Sequence, residues 1–233
     1  MIEHTDGEQA STARRGFLER LLGSTAAFAI LGATPKPAVA NEVLESRAVF
    51  SPGDDWMDEL KAKHRTVFDL AAHKNGKPLT QAKNYLDAWR DGFKVPEHDL
   101  NLIIGVHGEA IPIVLNDALW ARYKIGEQYE VIDGGTKSPG LRNLFSAQNA
   151  DAGGLVTLEQ SVEDLQRRGV RFVICMNTIA GATKKLSGAG LGAAEEIRMA
   201  LLGGLLPGVI TVPAMLVTLT QLQERGVRYL KIA

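Results

Sequence analysis

At 233 residues, with 45% hydrophobic and 23% charged side chains, the chain is long enough to bury the core of one domain and leave a segment over. A net charge of −1 provides no basic footprint for nucleic acid or an anionic membrane surface. That balance leaves soluble partners or small molecules as the default, and a single cysteine excludes a disulfide within the chain.

Residues 1–40 carry a processing pattern. Arg14 and Arg15 precede Gly16-Phe17-Leu18, an apolar run of 13 residues spans 21–33, and Ala38-Val39-Ala40 forms a small-residue cleavage site. That run falls short of the roughly 20 apolar residues a membrane helix needs. The arrangement resembles a twin-arginine (Tat) export signal, departing from it at Ala13 and at Glu19, where a lysine is common. An uncleaved amphipathic anchor is the alternative. Acidic and basic residues balance over this segment, so cleavage after Ala40 keeps the net charge at −1. Export implies a periplasmic location, where the sole cysteine, Cys175, is either sheltered or exposed and reactive.

Residues 41–63 read as a charged leader, with a short helix over Trp56–Lys63 following the breaker sequence SPGDD at 51–55. A strand is predicted over 65–71. A helix over 79–93 has Ala82, Tyr85, Leu86 and Trp89 on one face and Thr80 as its N-cap. The run LNLIIGV at 100–106 suits a strand buried on both faces. His107-Gly108 reads as a turn into a helix starting near Glu109. The segment 124–156 is rich in Gly, Asn, Ser and Asp; YEVID within it reads as a short edge strand or arm, and the remainder as a lid or interface loop.

An internal echo organises the rest. LQRRGVRFVIC at 165–175 and LQERGVRYLKI at 222–232 each run a basic helix end through glycine into an apolar strand. Leu158, Val162 and Leu165 keep helical phase in the first helix, with Thr157 and Gln160 as a capping box. The second helix has Pro213 in its first turn, then Met215, Leu219 and Leu222, and GVITV at 208–212 is a further strand. Strands alternating with helices predict an α/β fold: a three-layer α/β/α sandwich on a mostly parallel sheet of about five strands, spanning 64–233 with 124–156 as an insertion.

Several motifs fail on inspection. DGGTKS at 133–138 lacks the spacing of a phosphate loop, because Thr136 separates Gly135 from Lys137. GAGLGA at 188–193 follows TKKLS rather than a strand, which argues for the start of a helix over a dinucleotide site. The histidines outside the leader, His64, His73, His98 and His107, show no metal-ligand spacing, and G-x-S-x-G is absent. A zinc or haem site from His73, His107 and Cys175 requires the fold to converge them, so no metal or cofactor is assigned. His107 and Cys175 both stand at the carboxyl ends of predicted strands, where open parallel sheets bind ligands, and His73 lies just past another.

These features together resemble the DsrE/DsrF-like (YchN-like) sulfur-relay family: a helix carrying Asn84, a strand ending in IGVHG, then RGVRFVIC and GVITVPAMLVTLTQLQERGVRYLKI. The similarity covers about residues 64–233. It implies a reactive cysteine at the position of Cys175, acting as a persulfide carrier or sulfurtransferase. It also implies a symmetric homo-oligomer, trimer or hexamer, and sulfur donor and acceptor proteins as partners. His107, Gly108, Glu109 and Asn177 are then expected to line the ligand pocket, joined by Asn143 from the loop. The export signal and the long 124–156 segment depart from compact cytoplasmic members. A non-catalytic ligand- or haem-binding protein, or an interaction module, on the same fold is the alternative. The residues after Cys175 are suited to opening a helix, whose dipole favours a thiolate, with Lys184 and Lys185 as sources of positive potential. The bland alternative is a buried cysteine behind the core-like Phe172-Val173-Ile174.

Overall fold

The computed structural model describes residues 55–232. The proposed signal, with Arg14 and Arg15, and the leader up to residue 54 lie outside them. The first helix, α1 (Asp55–Asp58), is shorter than the expected Trp56–Lys63, and Met57 and Leu60 anchor this part of the chain in the core. Strand β1 (His64–Ala72) follows. Helix α2 (Lys77–Asp87) starts earlier than expected, with Gly76 as N-cap and Pro78 in the first turn, where its missing N–H is not needed. Thr80 is therefore not the cap; its hydroxyl instead donates to the Gly76 carbonyl at 3.5 Å. A π-helical turn, Ala88–Gly92, continues the element.

Strand β2 (Leu100–Glu109) runs past the predicted end. His107-Gly108 is thus part of the strand and does not turn into a helix; a 3-10 turn over Ile111–Val114 follows instead. The register against β1 shifts between Leu70 and Ala72, so that Ala72 pairs with Glu109. Gly108 accommodates that irregularity with φ of 55°, a conformation that strains any residue bearing a Cβ.

The expected lid is a structural part of the domain. After α3 (Asp117–Arg122) and α4 (Ile125–Gln128), the YEVID stretch makes only a single bridge, Ile132 to Pro139. Asn143, Leu144 and Phe145 are then fully buried, with the Phe145 ring edge-on to Trp120. Polar composition misleads here because the buried Asn143 and Ser146 hydrogen-bond to backbone and do not face water. The Thr157–Gln160 capping box forms, but on a 3-10 turn (Leu158–Gln160) with Leu158 exposed; Ser161 caps helix α5 (Val162–Arg167) separately.

The remaining elements are β3 (Arg171–Cys175), α6 (Met176–Gly188), α7 (Ala194–Gly203), β4 (Ile210–Val212), α8 (Met215–Glu224) and β5 (Arg228–Ile232). Pro213 precedes the N-cap Ala214 and so lies outside the first turn of α8. The five strands form one sheet in the order β4-β3-β2-β1-β5, and every pairing is parallel. Phe68, Leu70, Ile104, Val106, Phe172 and Ile174 pack on one face against α2, α5, α6 and α7. Val67, Ile103 and Val173 pack on the other against α1 and α8. The fold is therefore a three-layer α/β/α sandwich. Among the described residues, no helix is long and apolar enough to cross a membrane.

This topology locates a crevice. The neighbouring strands β3 and β4 send their outgoing helices, α6 and α8, to opposite faces of the sheet. Such divergence opens a gap at the carboxyl ends of the strands, the position where open parallel sheets bind ligands.

Candidate functional site

Strand register brings a row of chemistry-bearing side chains to this end of the sheet. β2 and β3 are paired up to Val106 and Ile174, so His107 and Cys175 stand side by side one residue further on, with neighbouring strands about 4.8 Å apart. On the other side of β2, Asp69 of β1 pairs with Gly105, and Tyr229 of β5 pairs with Val67. Alternation along each strand then directs Tyr229, Asp69, His107 and Cys175 to the same face. The His107 Nε2 atom lies 2.6 Å from Asp69 Oδ1, and the Tyr229 hydroxyl donates to Asp69 Oδ2 at 2.7 Å. An ionised carboxylate accepts from both, which puts the imidazole proton on Nε2 and leaves Nδ1 as a lone-pair acceptor. The bond to Asp69 is the main reason the Tyr229 hydroxyl is held above the usual tyrosine range, with desolvation adding to it.

Cys175 sits at a boundary between two environments. It ends the apolar strand Phe172-Val173-Ile174, is 4% exposed, and opens onto a groove of about 470 Å³. It also occupies the N-cap of the 13-residue helix α6, where its extended backbone (φ −96°, ψ 151°) lets the helix begin at Met176. Its Sγ is 3.1 Å from Thr178 Oγ1, and that oxygen also accepts the Gly108 N–H at 3.3 Å. The opposite wall is Ala214-Met215-Leu216, the start of α8. Gly105 makes room for Met215, since a Cβ there would lie 2.8 Å from the thioether sulfur. Among the described residues, no side chain bonds the first N–H groups of α6 or α8. Two helix starts with positive dipole ends thus border one groove, favouring an anion within it.

The mouth is formed by Glu109, Lys185 and Tyr129. Lys185 Nζ pairs with Glu109 at 3.0 Å and lies 4.0 Å from the centre of the Tyr129 ring. Behind that wall, His73 Nε2 bonds the Tyr129 carbonyl at 3.0 Å and its Nδ1 accepts from Asn75 N–H at 3.2 Å. Burial holds the His73 imidazole below its ordinary value of 6.5, against the opposing pull of the Tyr129 carbonyl and of Glu109. Burial likewise raises the Tyr129 phenol, with the Glu109 charge adding to the effect.

Five of the residues expected from sequence converge on this groove: Cys175, His107, Gly108, Glu109 and Asn177. Asn143 does not. It is fully buried, its Nδ2 donating to the Ile113 and Leu115 carbonyls at 3.0 and 2.7 Å and its Oδ1 accepting from Phe145 N–H at 2.8 Å. Its role is to hold the 124–156 segment to the domain. His73 lies behind the groove wall, His64 stacks on Trp89 at the opposite end of β1, and His98 is exposed. Among the described residues, no three His, Cys, Asp or Glu side chains are grouped to hold a metal ion, and the fold does not bring His73, His107 and Cys175 into one such set. Lys184 is exposed and does not line the groove, whereas Lys185 does.

Asp69, Thr178, Tyr129 and Tyr229 are additions from the structure. Asp69 had a visible signal: a lone carboxylate near the end of an otherwise apolar strand, TVFDLA. Thr178 follows the cysteine by three positions, which returns it to the helix start. Tyr229 carries no local sign, because its partner is 160 positions away.

No family model matches the chain, and no curated protein matches it. Among solved structures, a protein of unknown function from Methanobacterium thermoautotrophicum is similar at 14% identity and a TM-score of 0.40, over 72% of this chain and 99% of that one.

Proposed function

We propose that this chain handles sulfane sulfur, with Cys175 as the residue that accepts and passes it on. The observation that carries the reading is the placement of Cys175 at the N-cap of α6, facing a groove bordered by a second uncapped helix start. A thiolate and a persulfide anion are both stabilised by such N–H groups and dipoles. The transfer balances without an outside oxidant. Cys175 thiolate attacks the outer sulfur of a donor R–S–SH, its S–S bond breaks, and R–S⁻ leaves and takes up a proton, giving Cys175–S–SH and RSH. Delivery reverses the step on an acceptor thiol, which must lie on another molecule because the chain has no second cysteine.

A symmetric homo-oligomer belongs to the same proposal. Tyr229 on the edge strand β5, with Leu216 and Val217 on α8, leaves apolar surface uncovered on the α8 side of the sheet. Export by the twin-arginine route to the periplasm is also proposed; recovery of a mature N-terminus at Asn41, lost when both Arg14 and Arg15 are replaced by lysine, tests it.

The apolar lining supports one competing reading, a binding pocket for a small organic ligand without sulfur transfer: Ala182, Met215 and Leu216 present carbon to the groove. Mass spectrometry of the intact protein after incubation with a persulfide donor separates the two. Sulfur transfer gives an adduct of about 32 Da that Cys175→Ser abolishes. Absence of the adduct, with Cys175 inert to small alkylating agents in the native protein, refutes the transfer reading.

A further inference from the structure

We infer that His107 is the base that takes the Cys175 proton, and that Asp69 and Tyr229 are positioning residues that set its tautomer and basicity. The inference rests on the sulfur-handling reading of Cys175 and assigns the proton path that chemistry needs. Cys175 is 4% exposed at the end of an apolar strand, so bulk water reaches its thiol only by way of the groove, and a basic side chain lining that groove is the nearby acceptor for its proton. His107 is the neighbour of Cys175 across the β2–β3 register, lines the same groove, and has Nε2 committed to Asp69 at 2.6 Å. That bond keeps Nδ1 free of its own proton and stabilises the imidazolium once Nδ1 is protonated, the same role an orienting carboxylate has in nucleophile–histidine–carboxylate sites.

The step is closed in protons and electrons. The S–H bond of Cys175 breaks heterolytically, its proton moves to Nδ1 of His107 directly or through one water, and the thiolate keeps the electron pair. When the donor's S–S bond breaks, the departing R–S⁻ takes that proton back, so His107 ends neutral. Thr178 Oγ1, 3.1 Å from Sγ with its lone pair engaged by Gly108 N–H, is oriented to donate its own hydrogen to the thiolate as charge develops.

Tyr229 has a separable effect. Its hydroxyl donates to the second oxygen of Asp69 at 2.7 Å and so withdraws charge from the carboxylate that supports His107. Among the described residues, the other titratable groups facing this row are Lys231, opposite Asp69 in the strand register, and Glu109, Lys185 and Tyr129 at the groove mouth; Glu224 of α8 lies at the far end of that helix. Replacing the Asp69 carboxylate with an amide and removing the Tyr229 phenol therefore push in opposite directions, which a merely structural role of either residue does not do.

The test measures alkylation of Cys175 by neutral iodoacetamide in the full chain as a function of pH, read by mass spectrometry, for the wild type and for Asp69→Asn, His107→Gln and Tyr229→Phe. In the wild type the profile has two inflections, one for the histidine and one for the thiol. His107→Gln and Asp69→Asn each lower the rate at pH 7 by at least about tenfold, move the half-maximal rate to higher pH, and converge on the wild type where the thiol is ionised unaided. Tyr229→Phe raises the rate at pH 7, and a fall like that of Asp69→Asn overturns its assigned role. A single wild-type inflection overturns the inference without any variant, even if Asp69→Asn or His107→Gln does not fold. Rates at pH 7 within twofold of the wild type in both of those variants also overturn it, as does a loss that persists undiminished at high pH. If the persulfide adduct forms while these profiles are unchanged, the sulfur-handling reading stands and the relay falls. If wild-type Cys175 forms no adduct and reacts with no alkylating agent, both fall together.

Discussion

Replacing Asn143 with alanine removes three hydrogen bonds at a fully buried position, where water replaces them only in part. The amide side chain is fully buried and serves the Ile113 and Leu115 carbonyls and the Phe145 N–H. Leaving a buried donor or acceptor unsatisfied costs about 1–3 kcal/mol per group. Partial water entry into the space left by the amide lowers the total below a simple threefold sum, giving an expected loss of about 4 kcal/mol. That is a large share of a typical stability of about 5–15 kcal/mol. For a domain of this size it corresponds to a fall in Tm of about 8–16 °C. Urea unfolding followed by circular dichroism measures it, with the slope m unchanged between variants if both unfold from the same compact state. Under conditions where the variant stays folded, the alkylation rate of Cys175 remains that of the wild type. A stability loss under about 1 kcal/mol combined with an altered rate at Cys175 would refute the structural assignment and return Asn143 to the groove.

Four further outcomes follow from the groove and the residues around it. Gly108→Ala puts a Cβ at φ 55° and 3.1 Å from the Ala71 carbonyl oxygen; it is expected to lose about 1–2 kcal/mol, and equal stability by denaturant titration would contradict the assigned backbone. His73 is held below 6.5 in the folded state, so the unfolded chain takes up its proton first as pH falls, and the stability this provides is present above 6.5 and lost below it. The stability difference between wild type and His73→Gln therefore shrinks from pH 8 to pH 5, and a difference that grows over that range would refute the reading. Lys185→Ala removes the cation at the groove mouth; alkylation of Cys175 by anionic iodoacetate slows by about fivefold at low salt, while iodoacetamide is little affected. Glu109→Gln acts in the opposite sense, and equal changes with both reagents would show an effect of shape rather than charge.

Much of the architecture was legible in the chain before any coordinates. Apolar runs at 100–106 and 171–175 identify parallel strands, because such strands are buried on both faces, and the repeated passage before 171 and 228 marks helices that stop at a left-handed glycine and lead into strands. The errors have local causes. Thr80 has the chemistry of a cap, but Gly76 and Pro78 supply a better start four residues earlier. The His107-Gly108 pair looks like a turn, yet it is the end of a strand whose partner, β1, shifts register beside it. The 124–156 segment has the composition of a mobile loop, and only its buried hydrogen bonds show that Asn143 belongs to the core.

The class of fold, the strand that ends in Cys175 and the helix that begins after it are thus written locally in the chain, since periodicity and element-terminating residues act over a few positions. Which strands become neighbours is settled by long-range packing. The order β4-β3-β2-β1-β5 places Tyr229 beside Asp69, Asp69 beside His107, and His107 beside Cys175, although the first pair lies 160 positions apart in the chain. No local pattern encodes such an adjacency, because a parallel sheet is assembled through long crossovers whose order is set by how the helices cover its two faces. The same ordering sends α6 and α8 to opposite faces and opens the groove between them. What the sequence offered as a lone cysteine after an apolar run is, in the folded chain, one end of a four-strand row with a histidine, a carboxylate and a phenol.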